Sequence, residues 1–359
     1  MRLPAGAPAA PHSNFDALRL LAAIVVLYGN GLVLTGAPGS GLWGAPLPRI
    51  GVDLFFAISG YLLVGSFERS AGLAHYVGKR VLRAGPALVA CVLATVFILG
   101  PLATRLPLRA YLLDGLTRRY LGNMVLLPQL WLPGVFEGQQ WSGAVNPMLW
   151  TLLPGALCAL SIPAFGMFPP RLRAPALLAC AVLCAAASLL IPWASPAPLA
   201  GLQATAVQML TAIPFFMVGA ALATLERSRG EGLWRADLAV LCYAGNWMLA
   251  TWVGEWNIVL EWLTLPYMAA CFGRMAMPGL GRLGALGNPS YGLFLYAFPV
   301  QQFIVWAMPG HPHPILACFA IALPLGLLSW HLVERPALRW GPALLAYGWA
   351  MLRPRASAR

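Results

Sequence analysis

The sequence is poor in charge for its length. Its 359 residues include 23 basic and 11 acidic side chains, so that only 9% are charged, whereas soluble domains carry about 25%. Hydrophobic residues make up 60% of the chain, and the mean hydropathy is +0.73. These values exclude an ordinary soluble globular domain and favour an all-α, polytopic integral membrane protein whose main partner is the lipid bilayer.

Lysine, histidine and paired cysteines are also scarce. Lysine occurs once, at Lys79, and the arginines form no basic patch interleaved with aromatic residues, so we expect no nucleic-acid partner. The seven cysteines lie in apolar runs without a C-x-x-C pair, which is typical of small buried hydrophobic residues. His311 and His313 fall in a proline-rich turn, and we predict no metal site there.

Apolar runs long enough to cross about 30 Å of hydrocarbon occur repeatedly. We predict about ten transmembrane helices, at 15–34, 50–67, 84–101, 148–166, 175–193, 204–225, 236–253, 256–273, 290–308 and 314–333. With the N-terminus inside, most basic residues fall in inside segments, which predicts that both termini are cytoplasmic. The pattern predicts no particular oligomeric state.

Three segments lie outside the predicted spans. Residues 1–13 are rich in proline and alanine and are predicted to be disordered, and residues 341–359 are predicted to form a basic cytoplasmic tail. Residues 102–147 are predicted to form a long outer loop, although an additional re-entrant segment is an alternative. Trp131 and Trp141 in this loop are typical of an interfacial aromatic belt or of a sugar-stacking surface.

Asp53 is the only charge in residues 51–63, GVDLFFAISGYLL. An ionisable side chain inside a membrane span is costly and usually faces the protein interior, where it marks a functional path. The alternative is a position at the membrane edge, because Pro48 and Arg49 mark the start of the span. Asp53 is therefore a candidate for shaping a polar cavity.

Arginines dominate two further blocks. Arg19 lies eleven residues before Asn30 in the first span, and Arg80 and Arg83 lie three apart in YVGKRVLRAGPALVA, residues 76–90. Residues three apart share one helix face, and guanidinium groups suit bidentate phosphate binding. The alternative readings are snorkelling of Arg19 and attraction of Arg80 and Arg83 to anionic lipids.

Polar residues also mark the later spans. Trp150 and Thr151 precede Gly155 in residues 132–160, and Tyr291 and Tyr296 occur in NPSYGLFLYAFPVQQFIV, residues 288–305. Such side chains line a cavity or join helices by hydrogen bonds. The last block, SWHLVERPAL, residues 329–338, contains His331 and Glu334. Glu334 beside Arg335 most simply ends the last span at the membrane interface.

These blocks, in their order along residues 14–340, resemble the acyltransferase-3 family, in particular its O-antigen and exopolysaccharide acetylase-like branch. The resemblance implies a multi-pass O-acyltransferase of the bacterial inner membrane, with residues 14–340 as its transmembrane domain. It also implies acyl-coenzyme A, with acetyl as the expected acyl group, as co-substrate rather than as a bound cofactor. The implied acceptor is a hydroxyl of a cell-surface polysaccharide or glycolipid.

The resemblance also assigns roles to individual residues. It implies that Arg19, Arg80 and Arg83 hold the acyl-coenzyme A, and that Trp150, Thr151, Tyr291, Tyr296 and Glu334 line the cavity or the acceptor site. Two positions depart from the family pattern, because Asn30 stands where the family has a histidine and Gly155 where it has a glutamate. An amide cannot serve as the general base that an imidazole provides. His331 could substitute for that base.

Two hypotheses follow. In the first, the chain is a transferase whose base is His331, water or the substrate, while Asp53 shapes the cavity and Asn30 positions a hydroxyl. In the second, it is a pseudoenzyme that retains the fold and the donor site and acts in membrane binding or assembly.

Overall fold

The structure is a computed structural model. It describes residues 14–39, 41–139, 141, 143–194, 200–275, 287–310 and 313–341. The predicted disordered segment 1–13 lies outside the described residues, as does His311. The predicted tail also lies outside them, apart from residue 341.

Helices form almost all of the described chain. Within the described ranges, ten helices have 15 or more residues: α1 Phe15–Leu34, α2 Leu47–Glu68, α3 Leu73–Ala94, α6 Leu152–Gly166, α7 Pro170–Ala194, α8 Ala200–Arg229, α9 Ala236–Val253, α10 Ile258–Arg274, α11 Ser290–Ala307 and α12 Pro314–Ser329. Two short helices, α4 Leu108–Leu113 and α5 Gly115–Tyr120, lie between α3 and α6. The positions of the ten long helices follow the predicted spans closely.

Two long helices continue through π-helical turns. α3 passes through Thr95–Leu99 into Gly100–Ala103, and α12 passes through Trp330–Glu334. α3 also begins at Leu73, earlier than the predicted span, so Arg80 and Arg83 lie within the helix. π-Helical turns inside α-helices are frequent at functional sites.

One small element is not helical. Strands β1 Gly41–Leu42 and β2 Ala45–Pro46 pair antiparallel between α1 and α2. The turn residues Trp43 and Gly44 have φ values of 56° and 80°, as a two-residue hairpin with right-handed strand twist requires. The all-α prediction is therefore correct except for this hairpin.

The multi-pass membrane class is confirmed by seven helices in the described residues that are long and apolar enough to cross a membrane. Helices α9, α10 and α11 are not among these seven. The number of ten spans therefore remains a prediction.

Helix α2 occupies the centre of the bundle and packs against α1, α8 and α10. The backbones of α2 and α8 are in direct contact. Gly60 of α2 lies against the carbonyl of Phe216, and Gly219 of α8 lies against the carbonyl of Ala57. Glycines allow this approach, as in other membrane helix pairs. Further buried clusters join α1, α11 and α12, and join α3 and α11 to the segment between α3 and α6.

The polar contacts define two ends of the bundle. The Arg83 end contains the starts of α1 and α3 and the ends of α2, α8, α10 and α12, because Asn14 contacts Phe272 and Met275, Tyr61 contacts Glu226 and Arg83 contacts Glu334. The Arg49 end contains the starts of α2 and α10, joined by Arg49 and Glu261.

The predicted outer loop is a folded segment, residues 104–146, at the other end of α3 from Arg83. Tyr111, Tyr120 and Phe136 are fully buried in it. Burial raises the pKa of Tyr111 to about 12. The protonated hydroxyl donates a hydrogen bond to the Val96 carbonyl at 2.9 Å. This segment is attached to α11, since Asn146 Nδ2 donates to the Leu295 carbonyl at 2.9 Å.

Candidate functional site

Three arginines from two helices meet at the Arg83 end. Arg19 comes from α1, while Arg80 and Arg83 come from α3, and all three are half-buried. The positive charges of Arg80 and Arg83 act on Arg19. Their acidic partners are Asp16, 3.8 Å from Arg19, and Glu334, 3.6 Å from Arg83. Three positive and two negative charges leave this arginine cluster with an excess of +1.

Glu334 is fully buried in the π-helical turn of α12 rather than exposed at a membrane interface. Its carboxylate accepts a hydrogen bond from Ser329 Oγ at 3.2 Å and faces Arg83. The guanidinium of Arg83 also lies 5.0 Å from the ring centroid of Trp330, within the range of cation–π attraction. The π-helical turn therefore fixes Arg83 through two of its residues.

The remaining polar contacts around the cluster come from neutral side chains. Arg80 Nη2 donates to Ser66 Oγ on α2 at 3.2 Å, and Asn288 Nδ2 donates to Asp16 Oδ1 at 2.7 Å. Tyr291 donates its hydroxyl hydrogen to the Ala84 carbonyl at 3.2 Å, so it joins α11 to α3. Tyr296 is half-buried and packs against the apolar cluster of α3 and the 104–146 segment.

Asn30 lies near the other end of α1 and is 6% exposed. Its Nδ2 atom is 3.5 Å from Met148 Sδ, and the Met148 carbonyl accepts a hydrogen bond from Thr151 Oγ1 at 2.9 Å. The structure therefore places Asn30 beside the turn that carries Trp150 and Thr151. Trp150 itself packs against the main core.

Gly155 lies in the first turn of α6, four residues after Thr151. A Cβ atom built at this position would have no other atom within 4 Å. The glycine is therefore not required by close packing, and the space beside it would accept a longer side chain. Pro154 is buried at the start of the helix, which follows a 3-10 turn at Pro147–Thr151.

Asp53 belongs to a polar network at the Arg49 end. It is 2% exposed, and the charges that act on it are those of Arg49 and Glu261. Arg49 Nη2 contacts Glu261 Oε2 at 2.7 Å, and Glu261 Oε1 accepts from Asn257 Nδ2 at 3.2 Å. Asp53 is therefore buried in the protein interior.

Sequence reasoning missed both partners of Asp53 in this network, and also a second network at the Arg83 end. Tyr61 donates to Glu226 Oε2 at 2.5 Å, and Arg274 lies 2.7 Å from Glu226 Oε1. The available signal was the presence of isolated opposite charges in separate apolar helices, since membrane-embedded charges pair with one another.

His331 has an exposed side chain in the π-helical turn of α12. Its exposure contrasts with the burial of Asn30, which stands at the position of the family histidine for which His331 could substitute as a base. No group of three histidine, cysteine, aspartate or glutamate residues that could hold a metal ion occurs in the part of the chain that the structure covers.

The fold and the arginine cluster define a multi-pass membrane protein with a positively charged site at one end of its helix bundle. The chain matches the family described as "Acyltransferase domain" over residues 12–333. It therefore belongs to the acyltransferase-3 family, as its sequence motifs indicate.

Two relatives extend this result. The O-acetyl transferase of Shigella phage Sf6 is 24% identical over 356 residues, covering 89% of this chain and 94% of the relative. Nodulation protein 10 of Rhizobium leguminosarum bv. viciae is 44% identical over 81 residues, covering 21% of this chain and 22% of the relative. No solved structure is significantly similar to the chain.

Proposed function

We propose that the protein is an O-acyltransferase of the bacterial inner membrane. It transfers an acyl group, acetyl in the simplest case, from acyl-coenzyme A to a hydroxyl of a cell-surface polysaccharide or glycolipid. Family membership and the phage O-acetyl transferase support this reaction class. The observation that carries the donor assignment is the convergence of Arg19, Arg80 and Arg83 with an excess of positive charge.

The arginine cluster suits the phosphates of coenzyme A. Arg80 donates to the neutral oxygen of Ser66, a contact that does not neutralise its positive charge and leaves that charge available to an anion. Arg83 is held from two sides by Glu334 and Trp330, which fixes its position before a ligand arrives. A preorganised guanidinium loses less entropy on binding a phosphate.

The reaction centre is proposed to lie near Asn30. Eleven residues separate Arg19 from Asn30 in α1, which corresponds to about 16 Å along the helix axis at 1.5 Å per residue. A long, narrow donor bound by its phosphates at the cluster would therefore extend its thioester toward Asn30 and Thr151. The acceptor hydroxyl would reach the same place from the Arg49 end.

The chemistry at that place is transfer from a thioester to an oxygen ester. The hydroxyl oxygen of the acceptor attacks the thioester carbonyl carbon, the carbon–sulfur bond breaks, and coenzyme A leaves as its thiol with the proton that the hydroxyl gives up. Asn30 can donate a hydrogen bond to an oxygen atom but cannot take up the proton. Because His331 is exposed, water or the departing sulfur is the proposed proton acceptor.

The test is the hydrolysis and transfer of radiolabelled acetyl-coenzyme A by the purified full-length protein. We expect turnover by the wild type and a loss of at least about tenfold in donor affinity for Arg80→Ala, which is about 1.4 kcal/mol. Arg171→Ala removes an exposed arginine from the start of α7 and is the matched control, expected to bind the donor normally. Failure of every version to bind the donor would contradict the proposal.

The substitutions at Asn30 and Gly155 favour a second candidate, a pseudoenzyme that binds the donor without turning it over. The double variant Asn30→His with Gly155→Glu distinguishes the two functions. Donor binding by the wild type with turnover only in the double variant would identify a pseudoenzyme. Turnover by the wild type itself would identify a transferase that works without the family histidine.

A further inference from the structure

A cavity of about 130 Å³ opens at the Arg83 end between α2, α6, α7 and α8. Its inner wall is apolar, formed by Val64, Phe67, Ile162, Phe165 and Leu177. Its rim carries Glu68 and Arg173. This cavity is formed by other helices than those that carry Arg19 and Arg83.

Three arginines gather at the rim of this cavity. Arg173 lines it directly, and Arg227 forms an ion pair with the rim residue Glu68. Arg69 lies beside Arg227, because a Cβ atom at Gly65 would be 2.9 Å from Arg69 Nη1 and 3.1 Å from Arg227 Nη2. Three positive charges and the one negative charge of Glu68 leave an excess of +2 at the rim.

Gly65 is the residue that allows this arrangement. Its lack of a side chain leaves room for two guanidinium groups over one face of α2. Two guanidinium groups in contact repel each other, and an anion between or beside them offsets this repulsion. Glu68 compensates one of them, and the excess charge lies beside Glu68, which together with Arg173 lines the apolar cavity.

The cavity size limits what can enter. Apolar cavities of about 150 Å³ accept a ligand the size of benzene, so this one has room for several methylene groups of one chain but not for a helix or a sugar. A basic rim above an apolar cleft between membrane helices matches the head and tail of an anionic lipid.

We propose that this cavity binds one acyl chain of an anionic phospholipid, with the lipid phosphate on Arg173, Arg69 and Arg227. The lipid belongs to the leaflet at the Arg83 end. This site is separate from the proposed donor site and does not depend on the proposed function.

Binding is tested by native mass spectrometry of the full-length protein with phosphatidylglycerol or phosphatidylcholine. The double variant Arg173→Gln with Arg69→Gln tests recognition of the lipid phosphate. Thr224→Phe, which fills the cavity from α8, tests binding of the acyl chain. We expect each to weaken phosphatidylglycerol binding by about tenfold. Glu68→Gln removes the one negative charge and is expected to strengthen it.

Controls separate this site from general lipid binding. Arg171→Gln, which removes an exposed arginine two residues from Arg173, is expected to leave the affinity within about twofold. A phosphatidylglycerol with a photoreactive acyl chain is expected to label peptides of α6 and α8, and Thr224→Phe is expected to abolish that labelling. The labelling experiment keeps the proposal testable if a variant folds poorly.

Three results would overturn the proposal. Equal affinity for phosphatidylcholine would remove the role of the arginines in recognising the anionic head. Displacement of the lipid by inorganic phosphate, with no effect of Thr224→Phe, would indicate a simple anion site without a chain. Labelling confined to helices other than those lining the cavity would place the lipid elsewhere.

Discussion

At the scale of single residues, the buried charges are arranged in pairs that connect helices distant in the sequence. The ion pair between Arg49 and Glu261 joins α2 to α10 at 2.7 Å, and the glutamate is fully buried. Asp53 adds a second carboxylate to the one guanidinium. Removing the cation would therefore leave two buried acids without a compensating charge.

We predict that Arg49→Met strongly destabilises the detergent-solubilised protein. Loss of one partner of a buried ion pair costs about 3–5 kcal/mol, which thermal unfolding would report as a lower Tm. The double variant Arg49→Met with Glu261→Met should recover only part of the loss, since it removes the Glu261 charge but leaves Asp53 without a compensating cation. Arg235→Met, which breaks an exposed pair with Asp237, is the control, and an equal effect there would contradict the interpretation.

Gly155 presents the opposite situation, because nothing lies within 4 Å of its missing side chain. We predict that Gly155→Glu folds with an unchanged Tm, measured in the same assay. The substitution places a carboxylate four residues after Thr151 and adds a good helix former in place of glycine. A marked loss of stability would show that the glycine is needed for a contact that the open space does not reveal.

The sequence was sufficient for some of these residues and insufficient for others. Arg80 and Arg83 could be assigned to one helix face by their spacing, and Arg19 to the same end by the positive-inside pattern. The partner of Arg49 could not be predicted, because Glu261 lies on a helix remote in the sequence and ion pairing depends on how helices pack. For the same reason, the burial of Glu334 was hidden by the neighbouring Arg335, which is typical of a span end.

At the scale of helices, the contact between α2 and α8 depends on two glycines. Gly60 faces the backbone carbonyl of Phe216, and Gly219 faces that of Ala57. Backbone atoms cannot rotate out of the way as a side chain can. Any side chain at either position must therefore separate the two helices.

We predict that Gly60→Ala destabilises the protein by about 1–3 kcal/mol or more, as overpacking of a filled interior does. Gly245→Ala in α9 is the matched control, since a Cβ atom there would meet nothing within 4 Å. The control should be neutral or stabilising, because alanine is the better helix former. Equal behaviour of the two variants in thermal unfolding would contradict the close contact.

Hydrogen bonds from the side chains of Gln302 and Asn146 attach the 104–146 segment to α11. Gln302 Nε2 donates to the carbonyls of Trp141 and Ala144 at 3.1 and 2.9 Å, and Asn146 donates to Leu295. The adjacent Gln301 donates instead to the Leu27 carbonyl of α1 at 2.5 Å. Two adjacent glutamines of α11 thus hold different parts of the chain.

We predict that Gln302→Leu increases hydrogen exchange in the peptide around Ala144, because it removes both hydrogen bonds and leaves the buried Ala144 carbonyl without this donor, at a cost of about 1–3 kcal/mol. Gln301→Leu should instead affect exchange near Leu27 and leave the Ala144 peptide unchanged. Identical exchange patterns in the two variants would contradict the assignment of separate contacts.

At the scale of the whole molecule, the contacts place the start of α1 and the end of α12 together. The charge of Arg83 in α3 acts on Arg19 in the first half of α1, and Arg83 contacts Glu334 after α12. A chain that begins and ends at the same end of a helix bundle crosses it an even number of times. Ten crossings satisfy this condition, whereas seven would separate the termini.

We therefore predict that both termini are accessible from the cytoplasmic side and that the 104–146 segment is accessible from the outside. Variants that each add one cysteine, at Ser13, Gln139 or Ser357, can be labelled with a membrane-impermeant maleimide in spheroplasts. Gln139→Cys should react in intact spheroplasts, whereas Ser13→Cys and Ser357→Cys should react only after permeabilisation. The wild type is the control, because its seven cysteines lie in apolar runs. Opposite accessibility of Ser13→Cys and Ser357→Cys would require an odd number of crossings and would place one or all three of α9, α10 and α11 outside the bilayer core.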